Sequence, residues 1–368
     1  MPAEASPPAL TVRALRAVPV KIPMKYALGT SAAVVREAPL LLVDLDTEEG
    51  VTGRAFQFCY TPAAAAAIIT MLDDAAGAIR GRPLAPETLW DALSRRYKLI
   101  GVQGIVRMAM AMIDVAGWDA LAIAAGVPLA AYLGAPPRPV PAYNSCGLGL
   151  MAPEAVADEA EQLLAGGFRA MKLRLGYATL AEDLAAVRAV RRRLPDPVVI
   201  MTDYNQALGV DEAIVRGRAL DGEGVYWIEE PVRHDDYAGC ARIAAAVDTP
   251  VQIGENFSQV YDMEKSLTAN ASDLVMPDLE RIGGVTGWRR AAALARDTGI
   301  RMSSHLYPEV SAHLLAATPT AHWLEYVDWL DAVVNEPLRI VDGHAEIPQR
   351  PGNGITWNAS AVRKFRMH

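Results

Sequence analysis

Three acidic residues in the second half of the sequence each end a short apolar run: Asp203, Glu229 and Glu255. About 26 residues separate each one from the next, which is the length of one strand-plus-helix unit. If the runs are parallel strands of a barrel, the three carboxylates meet at one opening. They would repel one another there unless a cation compensates, and such hard oxygen ligands suit Mg²⁺. The alternative is that each carboxylate caps the next helix, but three in succession favour a metal site.

Two basic residues share one face of an earlier apolar run, residues 170–175. Lys172 and Arg174 alternate with Met171, Leu173 and Leu175, so the cations point to one side and the apolar residues to the other. If the apolar side packs on helices, both cations point into the barrel and need anionic partners. The carboxylates and an anionic substrate would supply these partners. The alternative is a solvated edge strand.

A histidine and two further acids occupy the same kind of position. Asp278, His305 and Glu325 each stand at the end of an apolar run. A carboxylate beside an imidazole fixes its tautomer and stabilises the imidazolium, which makes the histidine a better base. The sequence does not show that Asp278 and His305 touch, but it makes them a candidate catalytic pair.

Eight short apolar runs alternate with helical patterns after residue 139, as in a (β/α) barrel. An open, doubly wound sheet is the competing topology, but no dinucleotide-binding glycine motif follows the early strands. The helical patterns include residues 179–194 and 285–298. The predicted strands are residues 140–145, 170–175, 198–203, 225–230, 250–255, 274–278, 300–305 and 323–325.

The first third of the chain has a different organisation, in which a run of strands precedes a run of helices. The predicted strands are residues 10–23, 38–46 and 51–58, and the predicted helices are residues 62–80, 86–99 and 104–125. This order is typical of an α+β domain. A Pro-rich segment at 135–139 marks a boundary, and the tail is expected to pack back on the first domain. We therefore expect domains at 1–135 and 136–330, with a returning segment at 331–368.

The composition limits the classes of function. The chain has 368 residues, a net charge of −8 and 52% hydrophobic residues. It is globular, and without a basic block it is a poor candidate for binding nucleic acid or a membrane surface. Three cysteines with no CxxC pair make a disulfide framework or a structural zinc site improbable. No secretory signal or membrane span is visible, so we expect a cytoplasmic protein.

These residues and their surroundings resemble the mandelate racemase family of the enolase superfamily over nearly the whole chain. The segments that carry the resemblance are residues 107–121, Gly167-Phe168-Arg169-Ala170, Asp203-Tyr204-Asn205-Gln206, Trp227-Ile228-Glu229-Glu230-Pro231, Gly254-Glu255-Asn256, Met276-Pro277-Asp278, residues 282–288, Ser303-Ser304-His305-Leu306 and residues 311–325. Together they are far more specific than any single motif.

The resemblance implies a fold and a set of roles. The fold is a modified (β/α)7β barrel of the TIM type, with an N-terminal α+β capping domain that the C-terminal tail completes. The implied metal ligands for Mg²⁺ are Asp203, Glu229 and Glu255, and the implied acid/base pair is Asp278 and His305. The implied carboxylate-binding and substrate-binding residues are Lys172, Glu325, Ser145 and Asn205, together with Tyr60 and a capping loop of Met24, Lys25, Tyr26 and Leu28. The implied partners are a small carboxylate substrate and further copies of the chain in a symmetric homo-oligomer.

One departure from the family pattern bears on the reaction. The family has Lys-x-Lys where this chain has Lys172-x-Arg174, and the second lysine is a base on the face opposite the histidine. A guanidinium is a poor general base, so a one-base dehydration of a hydroxy acid or acid sugar is expected, with Glu325 kept protonated to bind the substrate carboxylate. The polar residues Lys25 and Tyr26 favour a polar substrate. The alternatives are a mandelate-type racemase and a catalytically silent, carboxylate-binding barrel.

Overall fold

Three antiparallel strands begin the computed structural model, which describes residues 9–31 and 33–367. β1 (Val12–Gly29) pairs with β2 (Val34–Thr47), and β2 pairs with β3 (Thr52–Phe58). The apolar run of the central strand β2, residues 38–43, is fully buried. β1 extends six residues beyond its predicted end at residue 23 and so continues to Gly29.

Three helices cover this sheet: α1 (Pro62–Ile79), α2 (Pro86–Arg96) and α3 (Gly104–Ala124). α3 lies directly on β3 at Gly53, where a Cβ atom would come within 1.9 Å of the carbonyl oxygen of Ala116. Only glycine permits that approach. In the described part of the chain, α1 alone is long and apolar enough to pass for a membrane span, but its apolar face packs on the sheet and on α3. The α+β capping unit is therefore confirmed.

Eight parallel strands then form a closed barrel. Each pairs with the next in chain order, and the last pairs with the first. The seventh and eighth are joined by hydrogen bonds from the Met302 and Ser304 amides to the Thr320 and Trp323 carbonyl oxygens. This closure confirms the barrel and excludes the open sheet. The strands are β4 (Val140–Asn144), β5 (Ala170–Arg174), β6 (Val199–Asp203), β7 (Ile228–Glu229), β8 (Val251–Ile253), β9 (Leu274–Val275), β10 (Arg301–Met302) and β11 (Leu324–Tyr326).

Helices follow the first seven barrel strands, which gives the predicted (β/α)7β order. The sequence caps them locally; for example, Thr179 and Glu182 form a capping box at the start of the second barrel helix. The helices are α4 (Leu129–Tyr132) before the barrel, then α5 (Pro153–Leu164), α6 (Leu180–Arg193), α7 (Val210–Leu220), α8 (Tyr237–Ala244), α9 (Val260–Thr268), α10 (Leu279–Ile282), α11 (Gly284–Thr298) and α12 (Pro308–Ala316).

The C-terminal segment contacts both units. After a 3₁₀ turn (Asp331–Val333), β12 (Arg339–Val341) and β13 (His344–Glu346) form a hairpin, and β13 pairs with the start of β4. Further on, the indole of Trp357 donates to Asp44 at 2.7 Å, and α13 (Ala359–Phe365) packs on β1. The three cysteines, Cys59, Cys146 and Cys240, are buried and free, as predicted.

Candidate active site

The structure brings the three strand-tip carboxylates together. Asp203, Glu229 and Glu255 stand at the carboxyl ends of β6, β7 and β8, and each offers an oxygen within 4.8 Å of the other two. Asp203 and Glu229 are fully buried, and the side chain of Glu255 is 13% exposed. None of the three is the cap of the following helix, since Gly209, Asp236 and Gln259 have that position. The helix-cap alternative is therefore wrong for these residues.

Neighbouring donors orient all three carboxylates, and Glu255 accepts from the side-chain amide of Asn256 at 3.2 Å. Asp203 accepts hydrogen bonds from the backbone and side-chain amides of Asn205, at 2.8 and 3.0 Å. Glu229 accepts from the Trp227 indole at 3.0 Å and from the Gln252 amide at 3.2 Å. Burial, outweighing nearby cations, raises the pKa of Glu229 well above its usual range, and the charges of neighbouring carboxylates add to this.

The next residue, Glu230, is also fully buried, and its Oε2 atom has no hydrogen-bond partner among the described residues. Burial and the nearby Glu255 raise the pKa of Glu230 well above its usual range. Such a crowded set of oxygens, only partly supplied with donors, fits a hard divalent cation such as Mg²⁺.

Lys172 lies among the acids, as the strand pattern predicted. Its ammonium contacts Glu229 directly and lies 3.2 Å from Asp203 and 2.8 Å from Glu325. Burial alone would lower its pKa, but these carboxylates raise it well above the usual range. Lys172 is therefore a fixed cation in this arrangement and a poor proton acceptor.

Arg174 is buried as well, so the solvated-edge alternative for this strand is wrong. Its guanidinium is engaged with the loop after β4. One terminal nitrogen donates to the carbonyl oxygens of Ser145 and Gly147, at 2.9 and 2.8 Å, and the other donates to the Ser145 hydroxyl at 2.9 Å. The Ser145 hydroxyl in turn donates to Glu325 at 2.7 Å. Arg174 thus positions Ser145, and through it Glu325.

Asp278 and His305 are in contact. The Nδ1 atom of His305 lies 2.7 Å from Oδ2 of Asp278, whose other oxygen caps α10 by accepting from the Glu280 and Arg281 amides. The Nε2 atom faces the acids, 3.4 Å from Glu255. Burial alone would lower the pKa of His305, but the nearby carboxylates raise it. The geometry gives a base held by one nitrogen and directed at the site with the other.

Glu325 is held by three hydrogen-bond donors. Its Oε1 accepts from Ser145 and Lys172, and its Oε2 accepts from the Leu306 amide at 2.8 Å. Burial would raise its pKa, but Lys172 and His305 hold that pKa well below the usual range. The direct contact with Lys172, which the sequence did not show, favours the ionised form of Glu325 in this arrangement, and a protonated Glu325 in the substrate complex stays a prediction.

A cavity of about 270 Å³ lies between this end of the barrel and the capping sheet. Its lining residues are Leu28, Thr30, Ala33, Val35, Phe58, Tyr60, Lys172, Arg174, Asp203, Asn205, Gln206, Glu230, Glu255, His305, Leu306, Glu325 and Trp329. A larger depression of about 620 Å³ at the opposite end, beside Arg301 and His322, has none of the clustered carboxylates. The chemistry of the residues, rather than cavity size, locates the site.

The structure corrects the prediction of a capping loop at residues 24–28. Residues 24–28 are part of β1 rather than a loop, and the turn comes later, where the Thr30 amide donates to the Ala33 carbonyl oxygen at 2.8 Å. Leu28 reaches the cavity, but Met24, Lys25 and Tyr26 do not line it. The ammonium of Lys25 lies over the ring of Tyr26 instead, at 5.0 Å. The argument for a polar substrate from Lys25 and Tyr26 therefore has no structural support.

Several residues at the site escaped the sequence argument. Trp329 and Phe58 line the cavity with ring centroids 4.6 Å apart, and Arg281 donates to the Tyr60 hydroxyl and to Asn256. Apolar residues such as Phe58 give no sequence signal that separates a cavity wall from a core. Tyr60, which was predicted, lines the cavity in a left-handed backbone conformation, φ 61°. Such conformations in non-glycine residues are often found at functional sites.

A capping α+β unit over a (β/α)7β barrel, with acids and a His–Asp pair at the strand tips, is the architecture that the resemblance to the enolase superfamily implied. Residues 155–361 match the family model described as enolase C-terminal domain-like, and residues 10–134 match the mandelate racemase / muconate lactonizing enzyme N-terminal domain. The chain belongs to the mandelate racemase / muconate lactonizing enzyme family, which confirms the predicted family and an enzymatic role.

Individual relatives support this assignment. The 3,6-anhydro-α-L-galactonate cycloisomerase of Streptomyces coelicolor is 33% identical over 340 residues, which are 91% of this chain and 93% of that protein. The L-talarate/galactarate dehydratase of Salmonella typhimurium is 37% identical over 265 residues, 72% of this chain and 67% of that protein. A crystal structure of an enolase from Bradyrhizobium, complexed with magnesium and mandelic acid, is 38% identical, with a TM-score of 0.92 and coverage of 98% of this chain and 99% of that one.

Proposed function

We propose that this chain is a Mg²⁺-dependent dehydratase that removes the α-proton of a 2-hydroxy carboxylate and expels its β-hydroxyl as water. The observation that carries the proposal is the arrangement of the basic residues. His305 directs its Nε2 into the cavity, whereas Lys172 is held among three carboxylates and Arg174 is engaged with residues 145–147. One base on one face suits dehydration better than racemisation.

The metal site follows from the donor set. Asp203, Glu229 and Glu255 would hold the cation, and the buried oxygens around them fit it. When bound, Mg²⁺ supplies positive charge that stabilises the negative charge developing on the substrate carboxylate as the α-proton leaves. Magnesium is also present in the crystal structure of the Bradyrhizobium relative.

The remaining catalytic roles are assigned to side chains of this chain. Lys172 would pair with the substrate carboxylate, and Asp278 would hold the ring of His305 so that Nε2 takes the α-proton. His305 then returns that proton to the departing β-hydroxyl, which leaves as water. The enol R–CH=C(OH)–COO⁻ that remains loses its hydroxyl proton and gains a proton at Cβ, so that R–CHOH–CHOH–COO⁻ gives R–CH₂–CO–COO⁻ and water overall. Glu325 can donate to the substrate carboxylate only when protonated. An anionic substrate beside Glu325 would favour that protonated form.

The deciding experiment incubates the enzyme with Mg²⁺ and each enantiomer of candidate 2-hydroxy acids in D₂O. Solvent deuterium should enter from one enantiomer only, with formation of a 2-keto acid. Deuterium exchange from both enantiomers without keto acid would overturn the dehydratase assignment. No exchange from any acid would indicate the third possibility, a carboxylate-binding barrel without turnover.

A mandelate-type racemase is the second candidate, and one observation favours it. The cavity has an apolar side, formed in part by Phe58 and Trp329, that suits an aryl group. The mandelic acid bound to the Bradyrhizobium relative has such a group. Racemisation needs a proton donor on the second face, and Arg174 occupies the position from which the family's second lysine would act.

The remaining proposals concern organisation. We propose functional domains at 1–135 and 136–330 with a returning segment at 331–368, a cytoplasmic location and a symmetric homo-oligomer. Three buried free thiols support a reducing compartment. Light scattering coupled to size-exclusion chromatography would test the assembly, since a monomer over the working concentration range would reject it.

A further inference from the structure

The active-site cavity has two unlike sides. On the barrel side it is lined by ionic and amide groups, which include Lys172, Glu255 and His305. The opposite side is lined by Thr30, Ala33 and Tyr60 and by five apolar or aromatic residues that are called here the apolar wall: Leu28, Val35, Phe58, Leu306 and Trp329. Phe58, Leu306 and Trp329 are at most 6% exposed. The only polar side-chain atom among these five residues is the indole N–H of Trp329.

Aromatic packing fixes the apolar wall in place. The ring of Phe58 lies 4.6 Å from that of Trp329 and 4.5 Å from that of Tyr60, measured between centroids. Tyr60 is in turn held by the guanidinium of Arg281, which lies 5.4 Å from its ring and donates to its hydroxyl. The wall is therefore preformed by the junction of β3, the hairpin of β1 and β2, and the loop after β11.

Among the described residues that line the cavity, the buried acceptor atoms without a hydrogen-bond partner lie near the metal-binding carboxylates. Oδ1 of Asn205 and Oε2 of Glu230 are buried without a partner, beside Asp203 and Glu229 in the chain. Gln206 uses its Oε1 on the backbone and ring of His234. Two substrate hydroxyls close to the carboxylate can thus be satisfied, whereas hydroxyls against the apolar wall have few partners.

From this division we propose that the substrate is a 2,3-dihydroxy carboxylate whose chain beyond C3 is apolar, either aryl or branched alkyl. The inference rests on the proposed dehydratase function and narrows its substrate class. The reaction converts the 2,3-dihydroxy acid into the 2-keto acid and water, with no co-reactant. Polyhydroxylated acids of similar length are disfavoured, because their distal hydroxyls lose water at the apolar wall without replacement.

The test compares four substrates with the Mg²⁺-loaded enzyme. They are 2,3-dihydroxy-3-phenylpropanoate, 2,3-dihydroxy-4-methylpentanoate, gluconate and galactarate, with all stereoisomers of the first two supplied. Keto-acid formation should give the apolar-tailed acids a kcat/KM roughly 100-fold higher, the scale on which apolar pockets discriminate. Equal or faster turnover of gluconate or galactarate would overturn the substrate inference and leave the dehydratase function standing. Absence of both keto-acid formation and α-deuterium exchange with all four would reject both together.

Two variants at neighbouring positions test whether the substrate tail lies against the apolar wall. Val35→Thr preserves side-chain size and adds a hydroxyl inside the cavity, whereas Val34→Thr makes the same change at a residue that is 60% exposed. Val35→Thr should shift the kcat/KM ratio at least about fivefold toward the polyhydroxylated acids. Val34→Thr should leave the ratio at its wild-type value. An unchanged ratio in Val35→Thr would show that the substrate tail does not lie against this wall.

Discussion

Arg174→Lys tests the positioning role assigned to the arginine. The guanidinium uses two nitrogens to make three hydrogen bonds, to the Ser145 carbonyl, the Gly147 carbonyl and the Ser145 hydroxyl. A lysine keeps the positive charge but offers a single nitrogen, so at least one of these bonds is lost. A buried hydrogen bond from a charged donor contributes about 1.5–3 kcal/mol, and we expect the free energy of unfolding to fall by that amount.

The same substitution should slow the reaction, because Ser145 donates to Glu325 and is itself held by Arg174. A displacement of about 1 Å at a catalytic group costs on the order of 100-fold in rate, which sets the expected fall in kcat. Chemical denaturation followed by tryptophan fluorescence gives the first quantity, and keto-acid formation gives the second.

The matched control is Arg192→Lys, since the side chain of Arg192 is 68% exposed and lies 3.8 Å from Glu154 at the surface. It should change the unfolding free energy by less than about 0.5 kcal/mol. If Arg174→Lys behaved like this control in both stability and kcat, the reasoning that Arg174 positions Ser145 and Glu325 would be refuted.

Three further predictions follow from the same geometry. His305→Asn should reduce the rate of keto-acid formation by about 10²- to 10⁴-fold, the usual contribution of a general base, and an undiminished rate would assign the proton transfer elsewhere. In calorimetry, Glu229→Gln should weaken Mg²⁺ binding by more than the ~10–100-fold that is typical when a residue outside the ligand shell is changed. Glu309 is a buried carboxyl outside the cavity, and Glu309→Gln should leave Mg²⁺ binding unchanged. Burial lowers the pKa of His313 to about 4, and its ring accepts from Ala130 and faces the Asn353 carbonyl. The neutral ring therefore stabilises the fold fully above pH 6.5, and this contribution of about 3 kcal/mol is lost as the pH falls from 6.5 toward 4. His313→Gln should flatten that part of the stability profile, and a profile unchanged by the substitution would contradict the assignment.

The strand-tip acids could be placed from the sequence because two periodicities coincide. Alternation within a strand decides which side chains point inward, and the spacing of strand-plus-helix units brings their carboxyl ends to one opening. These two rules were enough to predict a cluster of Asp203, Glu229 and Glu255, and in the structure an oxygen of each lies within 4.8 Å of the other two. Most predicted barrel strands were longer than the observed ladders; for β7 the prediction covered residues 225–230 and the ladder covers Ile228–Glu229.

The cap side of the cavity could not be placed in this way. A β hairpin can extend or end early without a clear change in sequence, and β1 continues through residues 24–28, so that the turn and the wall residues lie further along the chain. Phe58 and Trp329 look like any core residue in the sequence, and only their contact across the domain junction makes them a cavity wall.

The sequence by itself determined the barrel and the identity of the ionisable groups, since these depend on local periodicity and on residue types at repeating intervals, and it indicated the family through the resemblance of its motifs. The tertiary structure alone decided their partners: Lys172 against Glu325, which favours the ionised form of that acid, and Arg174 against Ser145. Protonation and positioning depend on distances of about 3 Å between residues far apart in the chain, and only the folded packing of the barrel and its cap sets those distances.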